Sequence, residues 1–344
     1  MHQMIVCPHG PQAIRNSEAD LIELTSGRLL LVWTQFYGGF ADHAAARLSG
    51  RVSDDGGCTW SAPFTVVGNP GGCNVMSVSM VRNRAGHILL FYLWKKTTED
   101  CQVLMRRSVD EGQTWGEPVS VSSRPGYHVM NNARVVSVGS GRLLAPVAHD
   151  NQVYCYISDD DGESWRAGKQ GAQMAGSRVM EPGLVELRDG RVLMVIRTEL
   201  GKIYKSYSPD LGDSWSVPQP TPLVSPSSPS TVARIPSTND LLIVWNNQPL
   251  GAKATWAQRT PLTAAVSRDE GETWENSKNI ERDPGYGFAY TSVTFVRELT
   301  YLTYYSWRHG ARGFENTNLK LSIMPQSWFY EPQEECIEEG ERSV

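Results

Sequence analysis

Five near-copies of one short phrase recur along this chain. They read SDDGGCTW at Ser53–Trp60, SVDEGQTW at Ser108–Trp115, SDDDGESW at Ser158–Trp165, SPDLGDSW at Ser208–Trp215 and SRDEGETW at Ser267–Trp274. Their common frame is Ser-x-Asp-x-Gly-x-(Thr/Ser)-Trp. A phrase returning at a period of roughly 40–60 residues constrains architecture before local propensity does, because each copy marks a unit that must stack on its neighbours. Its chemistry is that of a hairpin turn. The Asp can accept backbone N–H groups within the turn, the Gly supplies φ > 0, and the Trp is a large apolar anchor. Asp160, Asp161 and Gly162 also suggest the opening of a calcium loop, but the closing Glu that such a loop needs is missing, so no metal is expected there.

A second repeat lies between the phrases. ADLIELTSGRLLLVW (Ala19–Trp33), VSMVRNRAGHILLFYLW (Val78–Trp94), ARVVSVGSGRLLAPVA (Ala133–Ala148) and PGLVELRDGRVLMVIR (Pro182–Arg197) each read as an apolar strand, a turn and a second apolar strand. Ser230–Asn246 and Thr291–Trp307 are weaker copies. Six hairpins with five Ser-x-Asp turns predict four-stranded antiparallel units repeated radially. The expected fold is an all-β, six-bladed propeller occupying residues 1–344 as a single domain. The apolar start Met4–Cys7 is expected to pair with the last blade and close the ring.

The composition agrees with a turn-rich all-β chain: 31 Gly and 20 Pro among 344 residues, and no long apolar stripe of helical period. The net charge of −5, without a basic run, argues against a nucleic-acid surface. No apolar run approaches membrane-spanning length. The amino terminus lacks a basic segment followed by an apolar core, so a cytoplasmic location is expected, or a secreted one if a leader has been trimmed. The six cysteines (Cys7, Cys58, Cys73, Cys101, Cys155, Cys336) are scattered without a Cys-x-x-Cys pair and read as reduced, mostly buried thiols. Trp33, Trp94, Trp245 and Trp307 end hairpin strands and read mainly as blade packing.

The repeated phrase resembles the Asp-box of the sialidase (neuraminidase) superfamily, whose members are six-bladed propellers, and the resemblance covers nearly the whole chain. It implies a site with three arginines on a sugar carboxylate, an aspartic acid as acid/base, and a tyrosine nucleophile paired with a glutamate. By order along the chain the arginines are Arg15, Arg197 and Arg259. Asp42, in GGFADHAAAR, stands where the acid/base is expected, with His43 beside it as a pocket wall. Glu181 precedes Arg197 by sixteen residues, the family's spacing, and Tyr290 in GYGFAYTSVTF resembles the nucleophile. The chain departs from the family at the first arginine, where Arg15-Asn16-Ser17 replaces Arg-Ile-Pro and Glu18 follows. Glu18 or Asp20 could reach Arg15 and partly neutralise it. In HVMNNARVV, Asn131, Asn132 and Arg134 are polar where a core strand should begin; Asn132 and Arg134 are expected to contact substrate.

The residue types suit that chemistry. An arginine is always charged and offers a planar fork that fits a carboxylate. Three converging arginines are costly without an anion to share. The expected activity is retaining release of a terminal sialic acid or related nonulosonic acid, with no cofactor. Alternatives from the sequence alone are a glycosidase or lyase for another acidic sugar such as a uronic acid, a transfer variant, and a non-catalytic carbohydrate-binding propeller.

Overall fold

The computed structural model describes residues 1–139, 141–249, 259–310 and 313–332. The protein is an all-β propeller of four-stranded antiparallel blades. Four of its sheets stand alone. They start at Asn74–Arg82, Val136–Val138, Met180–Glu186 and Thr231–Arg234, and each is followed outward by its next three strands in chain order. The remaining sheet has eight strands. One half is Arg15–Glu23, Leu29–Phe36, Ala46–Ser53 and Phe64–Val67. The other is Tyr286–Val296, Leu299–Gly310, Gly313–Pro325 and the amino-terminal strand His2–Cys7. A single parallel pair, Arg15 with Thr317, joins the halves. His2–Cys7 covers the outer edge of Gly313–Pro325 in antiparallel register, as expected of an early strand closing the last blade.

The second strands are apolar almost throughout because each packs on both faces. In Ile88–Lys95, the residues Leu89, Phe91 and Leu93 join one buried cluster with Leu143, Ala145 and Val147 of the following blade. Their alternates Ile88, Leu90 and Tyr92 join another with Leu30, Val32 and Leu48 of the preceding one. Side chains two apart share a face, so one strand serves two interfaces. Comparable clusters fill every further junction, including that of Tyr301 and Leu319 with Leu21 and Leu31.

The repeated phrase forms the turn between third and fourth strands. At Ser53–Trp60, Asp55 accepts the Thr59 N–H at 2.8 Å, and the Ser53 hydroxyl donates to Asp55 and accepts the Gly57 N–H, each at 2.8 Å. Gly57 has φ +93°, and the Trp60 indole donates to its carbonyl. Asp160 is saturated in the same way by Ser158 and Ser164, so its carboxylate is committed to its own turn. Trp33, Trp245 and Trp307 are buried in blades, and none of the four hairpin tryptophans reaches the cavity described below. Among the described cysteines Cys7, Cys101 and Cys155 are buried, Cys73 is half-buried and Cys58 is exposed; all are free, and Cys336 lies outside the described residues.

Candidate active site

The innermost strands share a local irregularity. In four of them the ladder slips, between Ser17 and Asp20, Met76 and Ser79, Met180 and Gly183, and Ala289 and Ser292. Within each slip sits a non-glycine residue in the left-handed region: Glu18 at φ 48°, Ser77 at 61°, Glu181 at 43° and Tyr290 at 61°. Such conformations cost an L-residue about 1–2 kcal/mol. A bulge re-aims one side chain out of the alternation of its strand. All four of these side chains line a single cavity of about 570 Å³, a volume suited to a small ligand.

Around that cavity the structure assembles Arg15, Asp42, Glu181, Arg197, Arg259 and Tyr290. Tyr290 donates its hydroxyl to Glu181 Oε1 at 2.8 Å. The other oxygen, Oε2, receives Arg197 Nη1 at 2.5 Å. Burial alone would raise the Glu181 carboxyl, but Arg197, Arg259 and the phenol outweigh it and hold the group below the usual carboxylate range. Burial first, and then the Glu181 charge, push the Tyr290 phenol well above its ordinary value. The pair at rest is therefore a phenol hydrogen-bonded to a carboxylate. The Tyr290 ring stacks on Tyr305 at 5.3 Å, and the Arg259 guanidinium lies 5.5 Å from its centroid.

The arginines are held differently. Arg15 gives Nη1 to Asp42 Oδ1 at 2.5 Å and Nη2 to Glu18 Oε1 at 3.2 Å, with its guanidinium 4.5 Å from the Phe36 centroid. Burial works against its charge, but Glu18 and Asp42 more than offset this. Asp42 is in turn held below its usual range, because Arg15 outweighs the effect of burial. Glu18 is itself pushed up, burial being the larger influence. Among the described residues, Arg259 bonds one carbonyl, Ser227 O at 3.2 Å, and its Nε has no partner. Also among the described residues, it is the one of the three with no carboxylate within ion-pairing distance. Its backbone is fixed by Asn246, whose amide donates to the Arg259 and Phe288 carbonyls at 2.9 and 3.0 Å.

Glu18 is thus the acidic neighbour that reaches Arg15. Asp20 turns away and accepts the Met80 and Leu21 N–H groups. Three expected contacts are not brought to the cavity. His43 is exposed on the loop beside Asp42 and points clear of it. Asn132 is fully buried and donates to the carbonyls of Ala19 and Tyr290 at 2.7 and 3.0 Å, so it fixes the backbone of Tyr290. Arg134 is buried beneath the site, donating to Thr231 Oγ1 at 3.1 Å. The run Tyr127–Asn131 lines the cavity, whereas Asn132 and Arg134, either side of Ala133 at φ 52°, do not.

The cavity also contains residues not anticipated from sequence. Lys95, Tyr127, Tyr305 and an apolar wall of Met76, Leu93 and Met130 all line it. A lysine ending an otherwise apolar strand was the one visible signal, and in ILLFYLWKK nothing separates Lys95 from Lys96.

Fold and cavity together define a β-propeller with an arginine-rich pocket built on bulged inner strands. Residues 27–303 match the family model for the BNR repeat-like domain, so the chain belongs to that family and to the sialidase superfamily of propellers. It is 27% identical over 315 residues to a sialidase of Micromonospora viridifaciens, covering 78% of this chain and 46% of that protein. The chain spans less than half the length of the relatives it matches by sequence. Among solved structures it resembles the NanB sialidase of Streptococcus pneumoniae (TM-score 0.74, 16% identity, 94% of this chain and 70% of that one). It also resembles the intramolecular trans-sialidase of Ruminococcus gnavus in complex with oseltamivir carboxylate (TM-score 0.74, 14% identity, 92% and 96%).

Proposed function

We propose that this protein is a six-bladed propeller and a retaining exo-glycosidase that releases a terminal sialic acid or closely related nonulosonic acid. The count of six follows if the eight-stranded sheet is taken as two blades, since only one parallel pair joins its halves. The observation that carries the activity is the Tyr290–Glu181–Arg197 chain at 2.8 and 2.5 Å. A non-catalytic sugar-binding propeller would need the arginines but not a phenol aimed at a buried carboxylate.

The chemistry follows from charge. A sialic acid carries its carboxylate on the carbon under attack. A carboxylate nucleophile about 4 Å away would meet ~4 kcal/mol of repulsion at an effective dielectric near 20. That is about a thousandfold in rate. A neutral phenol avoids this, and sialidases are the known tyrosine exception among retaining glycosidases. Arg15, Arg197 and Arg259 hold the sugar carboxylate. The Tyr290 oxygen attacks the anomeric carbon as its proton passes to Glu181 Oε1. Asp42, a carboxylate while it pairs with Arg15, takes up a proton from solvent once the sugar carboxylate displaces it, and the bond to the leaving oxygen breaks as Asp42 passes that proton to it. Asp42 then takes a proton from water, water attacks the same carbon, and Tyr290 leaves and recovers its proton from Glu181.

The test is turnover of a fluorogenic sialoside beside a panel of fluorogenic uronides, with Tyr290→Phe as the control. The sialoside should be cleaved, and the variant should lose most of kcat while still binding the dehydrated sialic acid analogue. Turnover of a uronide alone would overturn the reading, and so would near-wild-type kcat in Tyr290→Phe.

A further inference from the structure

Asp42 sits on a nine-residue connection, 37–45, between the strands Leu29–Phe36 and Ala46–Ser53. The hairpin ladder reaches only its base, through the Tyr37 and Gly38 N–H groups to Ala45 O at 3.0 and 3.1 Å. At the tip the one backbone bond is Ala44 N–H to Ala41 O. The Asp42 side chain is 63% exposed, so packing does not fix it. Two blades hold the tip: Arg15, of the loop's own blade, donates Nη1 to the Phe40 carbonyl at 3.2 Å and to the Asp42 carboxylate, and the neighbouring blade holds the main chain at Asp42 and Ala44. The Asn74 amide donates to the carbonyls of Asp42 and Ala44 at 2.9 and 2.8 Å. The Lys95 ammonium donates to the same Asp42 carbonyl at 2.9 Å. Asn74 and Lys95 face each other in one ladder pair, where the first two strands of that blade end, so both donors are set by regular sheet. Both side chains are buried: Asn74 is 0% and Lys95 2% exposed. Among the described residues Lys95 has no carboxylate within ion-pairing distance; its ammonium lies 5.3 Å from the Tyr127 ring centroid.

A lysine kept charged and buried to hold one main-chain carbonyl is a costly way to pin a loop. A neutral amide already bonds that carbonyl. The ammonium adds a second, charge-assisted donor to the same carbonyl. We propose that Lys95, with Asn74 as its partner, is the positioning residue for Asp42. It fixes the main chain from which the carboxyl swings between Arg15 and the leaving oxygen. This rests on the sialidase reading, in which Asp42 is the acid/base.

Lys95→Met and Lys95→Arg test it, with thermal unfolding to show that each variant is folded. The first readout is dependence on the leaving group. A positioned general acid matters most for a poor leaving group, where it contributes about 10²–10⁴-fold. Lys95→Met should therefore lose about a hundredfold in kcat on an alkyl sialoside, but only about threefold on a nitrophenyl sialoside that needs little protonation. Lys95→Arg should recover part of the loss. The second readout needs no turnover: amide hydrogen exchange over residues 39–44 should speed up in Lys95→Met while the blade strands stay protected. Equal losses on both substrates, or unchanged exchange in the loop, would overturn the proposal. A wild type that cleaves no sialoside would overturn the sialidase reading instead, and the exchange experiment would still decide whether Lys95 anchors Asp42.

Discussion

Arg15 carries two carboxylates, Glu18 and Asp42. On the sialidase reading proposed above, the sugar carboxylate would compete with Asp42 for it, one anion displacing another. An ion pair with an exposed partner is worth only ~0.2–1 kcal/mol. Asp42→Ala should accordingly bind the dehydrated sialic acid analogue about two- to fivefold more tightly, as read by calorimetry, while losing turnover on poor leaving groups. Weaker binding would mean that Asp42 is chiefly a ligand contact. Arg259 is the opposite case, pairing with no carboxylate among the described residues. Arg259→Lys keeps the charge but loses the fork, since one ammonium cannot match a planar carboxylate as a guanidinium does. Its kcat/KM should fall about tenfold or more, ~1.4 kcal/mol, mostly through KM and with unchanged thermal stability. Unaltered kinetics would place Arg259 outside the clamp.

The two repeated elements divide the labour: the Ser-x-Asp turns stabilise, and the bulged inner strands present chemistry. In the turns at Asp55, Asp110 and Asp160, hydrogen bonds from the following Thr or Ser, side chain before backbone, hold the carboxyls at about 2. An unfolded Asp titrates near 3.9. A carboxyl depressed on folding contributes stability that is complete above the unfolded value and lost as pH falls through the folded one. The urea midpoint should thus drop between about pH 4 and pH 2. Asp110→Asn, which cannot titrate, should be less stable than wild type at pH 7 and show a shallower slope across that window. A slope identical to wild type would show that this turn does not couple to global unfolding. The bulges have no comparable signature. Glu181 and Tyr290 stand in the left-handed region without the Gly or Asn that normally announces it, so their aim into the cavity was not readable from the strand pattern.

Closure is the property of the whole molecule. Apolar clusters fill each junction, and the amino-terminal strand completes the last blade, with Val6 and Cys7 buried against Leu319 and Leu321. Deleting His2–Cys7 would bare the edge of Gly313–Pro325, which now carries its pairing. An unprotected edge invites pairing with another chain. The deletion should lower the thermal midpoint by several degrees and promote association, seen by light scattering. A monodisperse variant with the midpoint of the parent would show that the strand is dispensable.

The repeats made the propeller legible, because hairpin period and turn chemistry are local and each copy confirms the others. The order of Arg15, Asp42, Glu181, Arg197, Arg259 and Tyr290 came from the resemblance to the sialidase superfamily rather than from any period in the sequence, and the structure brings all six to one cavity. Which of the neighbouring polar residues enter the cavity was decided only by tertiary structure. Asn132 and Arg134 look as available as Asn131, yet they turn into the wall and the floor. In the sequence nothing separates Lys95 from Lys96, yet Lys95 is buried against the loop of another blade. Side-chain direction at the end of a strand depends on bulges and on what the next blade offers as a partner. Both are set between segments far apart in the chain, where a single sequence carries no period to read.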